Sequence, residues 1–253
     1  MNRLSIQFDS NLNLFLSKYQ RDRCFEHEFS GNPSIKDLIE SLGVPHTEIA
    51  AIRINGSLVD FNYQAQNNDE VFAYSFTSAL RLELRDNPLA NDEIAPRFVL
   101  DVHLGKLTSY LRLLGFDSLY NSSYIDEVLA QIAFQEKRIL LTRDRGLLKR
   151  KIVHHGCLIR SSNPKEQTAQ VLERYRLYDK IAPFTRCAHC NGKLIPISKQ
   201  DVLHLLQPNT IQFYNSFSIC EKCHHVYWKG SYFEELRAFL DNLSHAPDDP
   251  KTD

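Results

Sequence analysis

Cys187-x-x-Cys190 and Cys220-x-x-Cys223 place four of the six cysteines in two pairs with 29 residues between them. Each pair can turn two thiolates toward one ion, and two pairs complete a tetrahedral shell. The stretch around them is therefore expected to fold as a zinc ribbon. A redox role for a single CxxC is disfavoured once a second pair stands at ribbon spacing. Four thiolates leave no open coordination position, so the zinc is expected to be structural. Its binding would contribute on the order of 10 kcal/mol to the folding of so small a unit. His189, His224 and His225 stand beside the knuckles as weaker alternative ligands. Asn191-Gly192 reads as a knuckle turn. Tyr227 and Trp228 suit packing of the ribbon against a final helix better than stacking on bases. The two remaining cysteines, Cys24 and Cys157, read as small buried hydrophobes.

A chain of 253 residues is long enough for two or three folded units. Over residues 1–78, Leu4, Ile6 and Phe8 alternate with polar residues as in a half-buried strand. A second extended run ends near Phe29. Pro33 opens a helical stretch with Ile35, Leu38, Ile39 and Leu42 on one face, closed by Gly43. A strand from Ala50 to Ile54 meets Asn55-Gly56, a strong hairpin signal. A last strand runs from Glu70 to Tyr74. Strand, strand, helix, strand, hairpin, strand is the order of a β-grasp. The run "IRINGSLVDFNYQAQNNDEVFAYS" also resembles the ubiquitin-like sulfur carriers of thiamin and molybdopterin synthesis. Those carriers end in Gly-Gly, whereas this chain continues through Ser75-Phe76-Thr77-Ser78-Ala79. A module that docks a protein partner is expected instead. Residues 79–96 read as a linker, with Asn87-Pro88 and Ala95-Pro96 discouraging long helices.

Beyond the linker the pattern becomes strand alternating with helix, the mark of a parallel sheet flanked by helices. Phe98 to Leu100 ends at Asp101, Ile139 to Leu141 leads through Thr142 and Arg143 to Asp144, and Asp126 opens the helix between. Functional residues in open parallel sheets gather past the carboxyl ends of the strands. Carboxylates converging there repel: at about 4 Å and an effective dielectric of about 20, each pair costs roughly 4 kcal/mol before screening. Mg²⁺ or Mn²⁺ relieves that repulsion, and such a site can activate water against a phosphodiester. The competing role for each acid is a helix cap: Asp101 and Asp144 as N-caps, and Ser123-x-x-Asp126 as a capping box. Residues 97–180 carry 15 Lys/Arg against 9 Asp/Glu, whereas residues 1–96 carry 8 against 14. The basic company of the acids, Lys106, Arg112, Arg143, Arg145, Lys149 and Arg150, suits a phosphate backbone, and a solvated helix face is the alternative. His154-His155 reads as structural.

The run "RFVLDVHLGKLTSYLRLLGFDSLY…IDEVLAQIAFQEKRILLTRDRGLLKR", continued by "RCAHCNGKL…CEKCHHVYWKGSYFEEL", resembles the PIN-fold RNase domain with embedded zinc ribbon found at the C-terminus of the Mut-seven exonuclease family. The resemblance spans residues from about 97 to 243. It implies a metal-dependent ribonuclease with Asp101, Asp126 and Asp144 as metal-binding acids. PIN nucleases generally use a further acid, for which Asp117 is the best match and Glu127 the next. The family's glycine after the last cysteine and its later histidine fall at His224 and Tyr232. The expected layout is a β-grasp domain at 1–78, a PIN-like nuclease domain at 97–182, the ribbon at 183–230, a packing helix at 231–243 and a loose tail at 244–253. The expected partner is RNA, single-stranded or structured, positioned by Lys106, Arg112, Arg143 and Arg145. A degenerate, non-catalytic RNA-binding adaptor is the second possibility. No apolar run reaches bilayer length and the N-terminus has no basic-then-apolar leader pattern, so a cytoplasmic protein is expected.

Overall fold

The computed structural model describes residues 1–82 and 96–244. The Asn87-Pro88 part of the linker and the tail beyond 244 lie outside them. The chain forms two compact units, one of residues 1–104 and 120–160, the other of residues 105–119 and 161–253.

The first unit opens with a five-stranded sheet. Strands β1 (Asn2–Phe8) and β2 (Phe25–Phe29) pair antiparallel, and helix α1 (Ile35–Ser41) follows. Then come β3 (Ile49–Ile54), β4 (Ser57–Val59), β5 (Glu70–Ser75) and the short helix α2 (Phe76–Arg81). The order is β2-β1-β5-β3-β4, with β1 and β5 parallel. Leu4, Ile6 and Phe8 are buried as their alternation requires, and Ile35, Leu38 and Ile39 of α1 are buried with them. Ser34 caps α1 by accepting from the Asp37 N–H at 3.1 Å. Asn55 and Gly56 both have positive φ, 50° and 86°, the conformation the tight β3–β4 turn demands. This is the β-grasp expected from the sequence.

The second sheet contains β6 (Arg97–Leu100), β7 (Asp117–Tyr120), β8 (Ile139–Thr142) and β9 (Gly156–Leu158) in the order β7-β6-β8-β9. Strand β8 runs parallel to β6 and to β9, with Phe98 opposite Ile139 and Leu141 opposite Cys157. The fully buried run Phe98-Val99-Leu100 and the buried run Ile139–Leu141 have the continuous apolar character of strands covered on both faces. Helix α4 (Asp126–Gln135) precedes β8 and the single-turn helix α5 (Arg145–Leu148) follows it. Leu129, Ala130 and Ala133 face inward from α4, whereas Val128 beside them is 38% exposed. Cys157 is buried as expected, but Cys24 is exposed because it lies just ahead of β2 in a surface loop.

Within this unit the β-grasp sheet and the β8–β9 region are joined by polar contacts that no local pattern announces. The Glu48 carboxylate, 2% exposed, accepts the Leu158 N–H at 2.7 Å. His46 is held between a Glu40 carboxylate oxygen at 2.6 Å and the Val153 carbonyl at 2.9 Å. Lys149 Nζ donates to the Glu40 carbonyl at 2.9 Å, and an Arg160 Nη donates to the Asn11 carbonyl at 3.4 Å.

In the second unit, helix α3 (Gly105–Leu113) packs against helix α6 (Pro164–Arg174). Asn163 caps α6 by accepting from the Lys165 N–H at 2.9 Å. Gly115, at φ +95°, stops α3, and a Cβ there would sit 2.4 Å from the Ala182 carbonyl oxygen. The ribbon follows as β10 (Leu194–Ile197), short helices α7 (Lys199–Val202) and α8 (Pro208–Phe213), β11 (Phe217–Cys220) and β12 (Val226–Trp228), then helix α9 (Ser231–Ser244). Its three strands are antiparallel, around a small core of Val202, Phe217 and Val226. No helix among the described residues is long and apolar enough to cross a membrane.

Candidate functional site

Asp101 follows β6 and Asp144 lies two residues past β8, so neighbouring parallel strands deliver both acids to their carboxyl ends. Thr142, fully buried, links them: its hydroxyl donates to Asp101 Oδ2 at 2.7 Å and accepts the Asp144 N–H at 3.0 Å. Asp101 is itself buried, 8% exposed, whereas Asp144 is exposed. The Asp144 carboxylate accepts the Gly146 N–H at 2.7 Å, so the expected cap role is present and leaves the side chain at the strand end. Thr142 escaped the sequence reading. A β-branched residue ending an apolar strand looks like part of the strand until its hydroxyl is located.

Asp126 begins α4, but the capping box expected at Ser123 does not form. The helix cap is Ile125, without a side-chain bond, and the Ser123 hydroxyl donates to Asn121 instead. Without Ser123 as a cap, Asp126 is the first helical residue and its carboxylate is available to Arg150. An Arg150 Nη lies 3.9 Å from Asp126 and 2.7 Å from Glu127. The hydrogen bond from Arg150 holds the Glu127 carboxyl below its ordinary range, and Glu127, with smaller help from Asp126 and Asp144, raises the guanidinium. Among the described residues, no three carboxylates bring their oxygens within 4.8 Å of one another. A guanidinium, rather than close approach around one point, balances charge at this edge.

Asp117 is engaged within the second unit. Its carboxylate accepts from Asn191 Nδ2 at 2.9 Å and lies 3.5 Å from the Arg186 guanidinium. The Asn191 side-chain oxygen accepts the Ser118 N–H at 3.1 Å, so the knuckle turn is stitched to β7.

The basic residues divide sharply. Arg112 cannot hold a phosphate where it stands: it is buried, Nε donates to the Ser118 carbonyl at 2.9 Å, and Nη1 donates to the carbonyls of Ala188 at 3.1 Å and His189 at 2.8 Å. Burial lowers its pKa, and Cys187, Cys190 and Asp117 oppose that shift. A guanidinium suits this place because its planar fork can serve several carbonyls. Arg145 donates to the Leu14 carbonyl at 3.0 Å and lies over the Phe15 ring at 5.1 Å. Lys149 and Arg150 are likewise committed to protein partners. Lys106 and Arg143 are exposed.

The four ribbon cysteines bring their sulfurs within 4.8 Å of one another, and no histidine joins them among the described residues. Cys187 and Cys223 are 3.5 Å apart, Cys190 and Cys220 3.3 Å. A tetrahedron of ~2.3 Å zinc–sulfur bonds has edges of about 3.8 Å, so the spacing and the all-sulfur donor set fit a soft, four-coordinate ion. Burial and the neighbouring thiols push Cys223 up to about 12. At Cys220 burial is outweighed by the amides of Cys223 and Lys222 and by the Cys190 and Cys223 thiols, which bring it down to about 7. Gly192 lets the knuckle close, since a Cβ there would lie 2.8 Å from Cys220 Sγ. The Tyr227 hydroxyl lies 3.1 Å from Cys187 Sγ and accepts the Ala188 N–H at 3.0 Å, which ties β12 to the first knuckle.

Residues 96–240 match the family model of the Mut7-C RNAse domain, and residues 1–81 match that of the Mut7-C ubiquitin domain. No curated protein and no solved structure matches the chain.

Proposed function

Because the chain belongs to the Mut7-C RNAse domain family, with a Mut7-C ubiquitin domain ahead of the nuclease, we propose that it is a metal-dependent ribonuclease hydrolysing RNA phosphodiester bonds. The observation that carries this reading is the Asp101–Thr142–Asp144 linkage at adjacent parallel strand ends. Asp101, Asp126 and Asp144 would hold Mg²⁺ or Mn²⁺. When bound, such an ion supplies charge neutralisation and an activated water for attack on phosphorus. Thr142 fixes the buried Asp101 carboxylate by donating to one oxygen. Arg150, 3.9 Å from Asp126, would compete with that ion for the Asp126 carboxylate. Arg143 and Lys106, two exposed cations of the expected set, would position the RNA backbone. Zinc is the ion assigned to Cys187, Cys190, Cys220 and Cys223, in a purely structural role.

The test is incubation of the full chain with single-stranded RNA and Mn²⁺, beside an Asp101→Asn, Asp144→Asn double variant. Cleavage by the wild type and not by the variant is expected; RNA left equally intact by both ends the catalytic reading. The adaptor reading has one observation in its favour: among the described residues, no three carboxylates gather within 4.8 Å. Salt-sensitive RNA binding without metal-dependent cleavage would select it.

A further inference from the structure

We propose that the loop Ser17–Cys24 of the β-grasp domain is a holding element for single-stranded RNA, placed beside the acidic site by the contact of Leu14 and Phe15 with Arg145. It deepens the RNA reading above and rests on it. The sequence of the loop is Ser-Lys-Tyr-Gln-Arg-Asp-Arg-Cys, so Lys18, Arg21 and Arg23 supply three of the eight Lys/Arg in residues 1–96, against 14 Asp/Glu there. All three cations are exposed, and Tyr19 is 85% exposed. A domain that is otherwise acidic thus concentrates positive charge and an uncovered aromatic ring in one short segment.

The loop has a built shape. Asn13 Nδ2 donates to Asp22 Oδ1 at 2.6 Å and the Asp22 N–H returns to Asn13 Oδ1 at 3.2 Å. The Ser17 hydroxyl donates to Gln20 Oε1 at 2.7 Å, and Arg21 Nε donates to the Leu16 carbonyl at 3.1 Å. Asp22, the one acid in the loop, is tied to Asn13, so the cations dominate its outward field. The base of the loop is fixed where it matters: Arg145, next to Asp144, donates to the Leu14 carbonyl and lies over Phe15. Two residues, Leu16 and Ser17, separate Phe15 from Lys18, a span of at most about 11 Å.

The choice of RNA over an acidic protein follows from supply and demand of charge. Arg112, Arg145, Lys149 and Arg150 are committed to protein carbonyls and carboxylates, so the nuclease segment offers fewer cations than its composition promises. The loop supplies Lys18 and Arg23, with Arg21 held to the Leu16 carbonyl through Nε. Single strands are favoured over duplex because an exposed tyrosine face stacks on an unpaired base, and a helix keeps its base faces covered.

Fluorescence anisotropy of the full chain with a labelled oligouridine, without added Mg²⁺ or Mn²⁺, tests the proposal. Tyr19→Ala should weaken binding by about tenfold. A Lys18→Gln, Arg23→Gln double variant should reduce the slope of log affinity against log salt by about 1.4. Both variants should melt at the wild-type temperature, since these side chains carry no packing. Unchanged affinity and slope overturn the proposal and give the loop to an acidic protein surface instead. Cleavage lost on Asp144→Asn while the loop variants bind like wild type sinks the loop and spares the nuclease. Weakened binding by the loop variants in a protein that never cleaves upholds the loop and sinks the nuclease.

Discussion

Thr142 shows how much one buried hydroxyl can organise. It satisfies a carboxylate oxygen of Asp101 and the amide of Asp144 together. Thr142→Val keeps the shape and removes both bonds, which should destabilise the fold by about 1–3 kcal/mol in urea titrations and lower cleavage, while Thr142→Ser should restore both. Arg112 makes the opposite point about charge. Its guanidinium reads as an RNA contact in the sequence and serves three carbonyls in the structure. Arg112→Met should lower stability by about 3 kcal/mol without changing the salt dependence of RNA binding, and Arg112→Lys should recover only part, because an ammonium cannot reproduce the fork. At Arg150, substitution by Gln frees Asp126 and Glu127 from their counter-ion. The Mn²⁺ concentration for half-maximal cleavage should then fall.

At the scale of elements, the ribbon is the part whose folding should depend on a bound ion. Its core is three buried apolar side chains, Val202, Phe217 and Val226, with Ile197, Leu206, Tyr214 and Ile219 partly buried against them, a small core for three short strands. Stripping the ion with a chelator, or replacing Cys220 by Ser, should abolish amide-exchange protection in β10, β11 and β12 while β1 and β5 stay protected. Retained protection in β10–β12 would remove zinc from the account. The elements themselves were legible in advance. The β-grasp order, the helix after Asp101, the strand before Asp144 and the knuckle turn at Asn191-Gly192 each rest on patterns within a dozen residues. Two local readings failed. Ser123 bonds Asn121 rather than capping α4, and Cys24 lies exposed ahead of β2, since cap geometry and loop burial depend on how each segment meets the rest of the fold.

For the first unit as a whole, acidity should be the sensitive direction. Burial, reinforced by His154 and His46, lowers the His155 pKa below 6.5 in the folded state. Unfolded chains then bind a proton that the folded state resists, so stability is full above about 6.5 and declines as pH falls below it. His155→Gln should flatten that decline in melting temperature. The joint between the β-grasp sheet and β9 depends on Glu48, whose buried carboxylate holds the Leu158 amide. Glu48→Ala should cost about 1–3 kcal/mol in urea titrations.

Local periodicity and cysteine spacing were enough to determine the strands, the helices, the ribbon and the acids at the strand ends, because those features depend on neighbours a few residues away. The assignment of each charge to a partner was decided only by tertiary structure. Arg145 meets a carbonyl 131 residues distant and Arg112 one 77 residues distant. Desolvation makes a buried cation such as Arg112 seek an acceptor wherever the fold places one, and no reading along the chain reveals which acceptor that is.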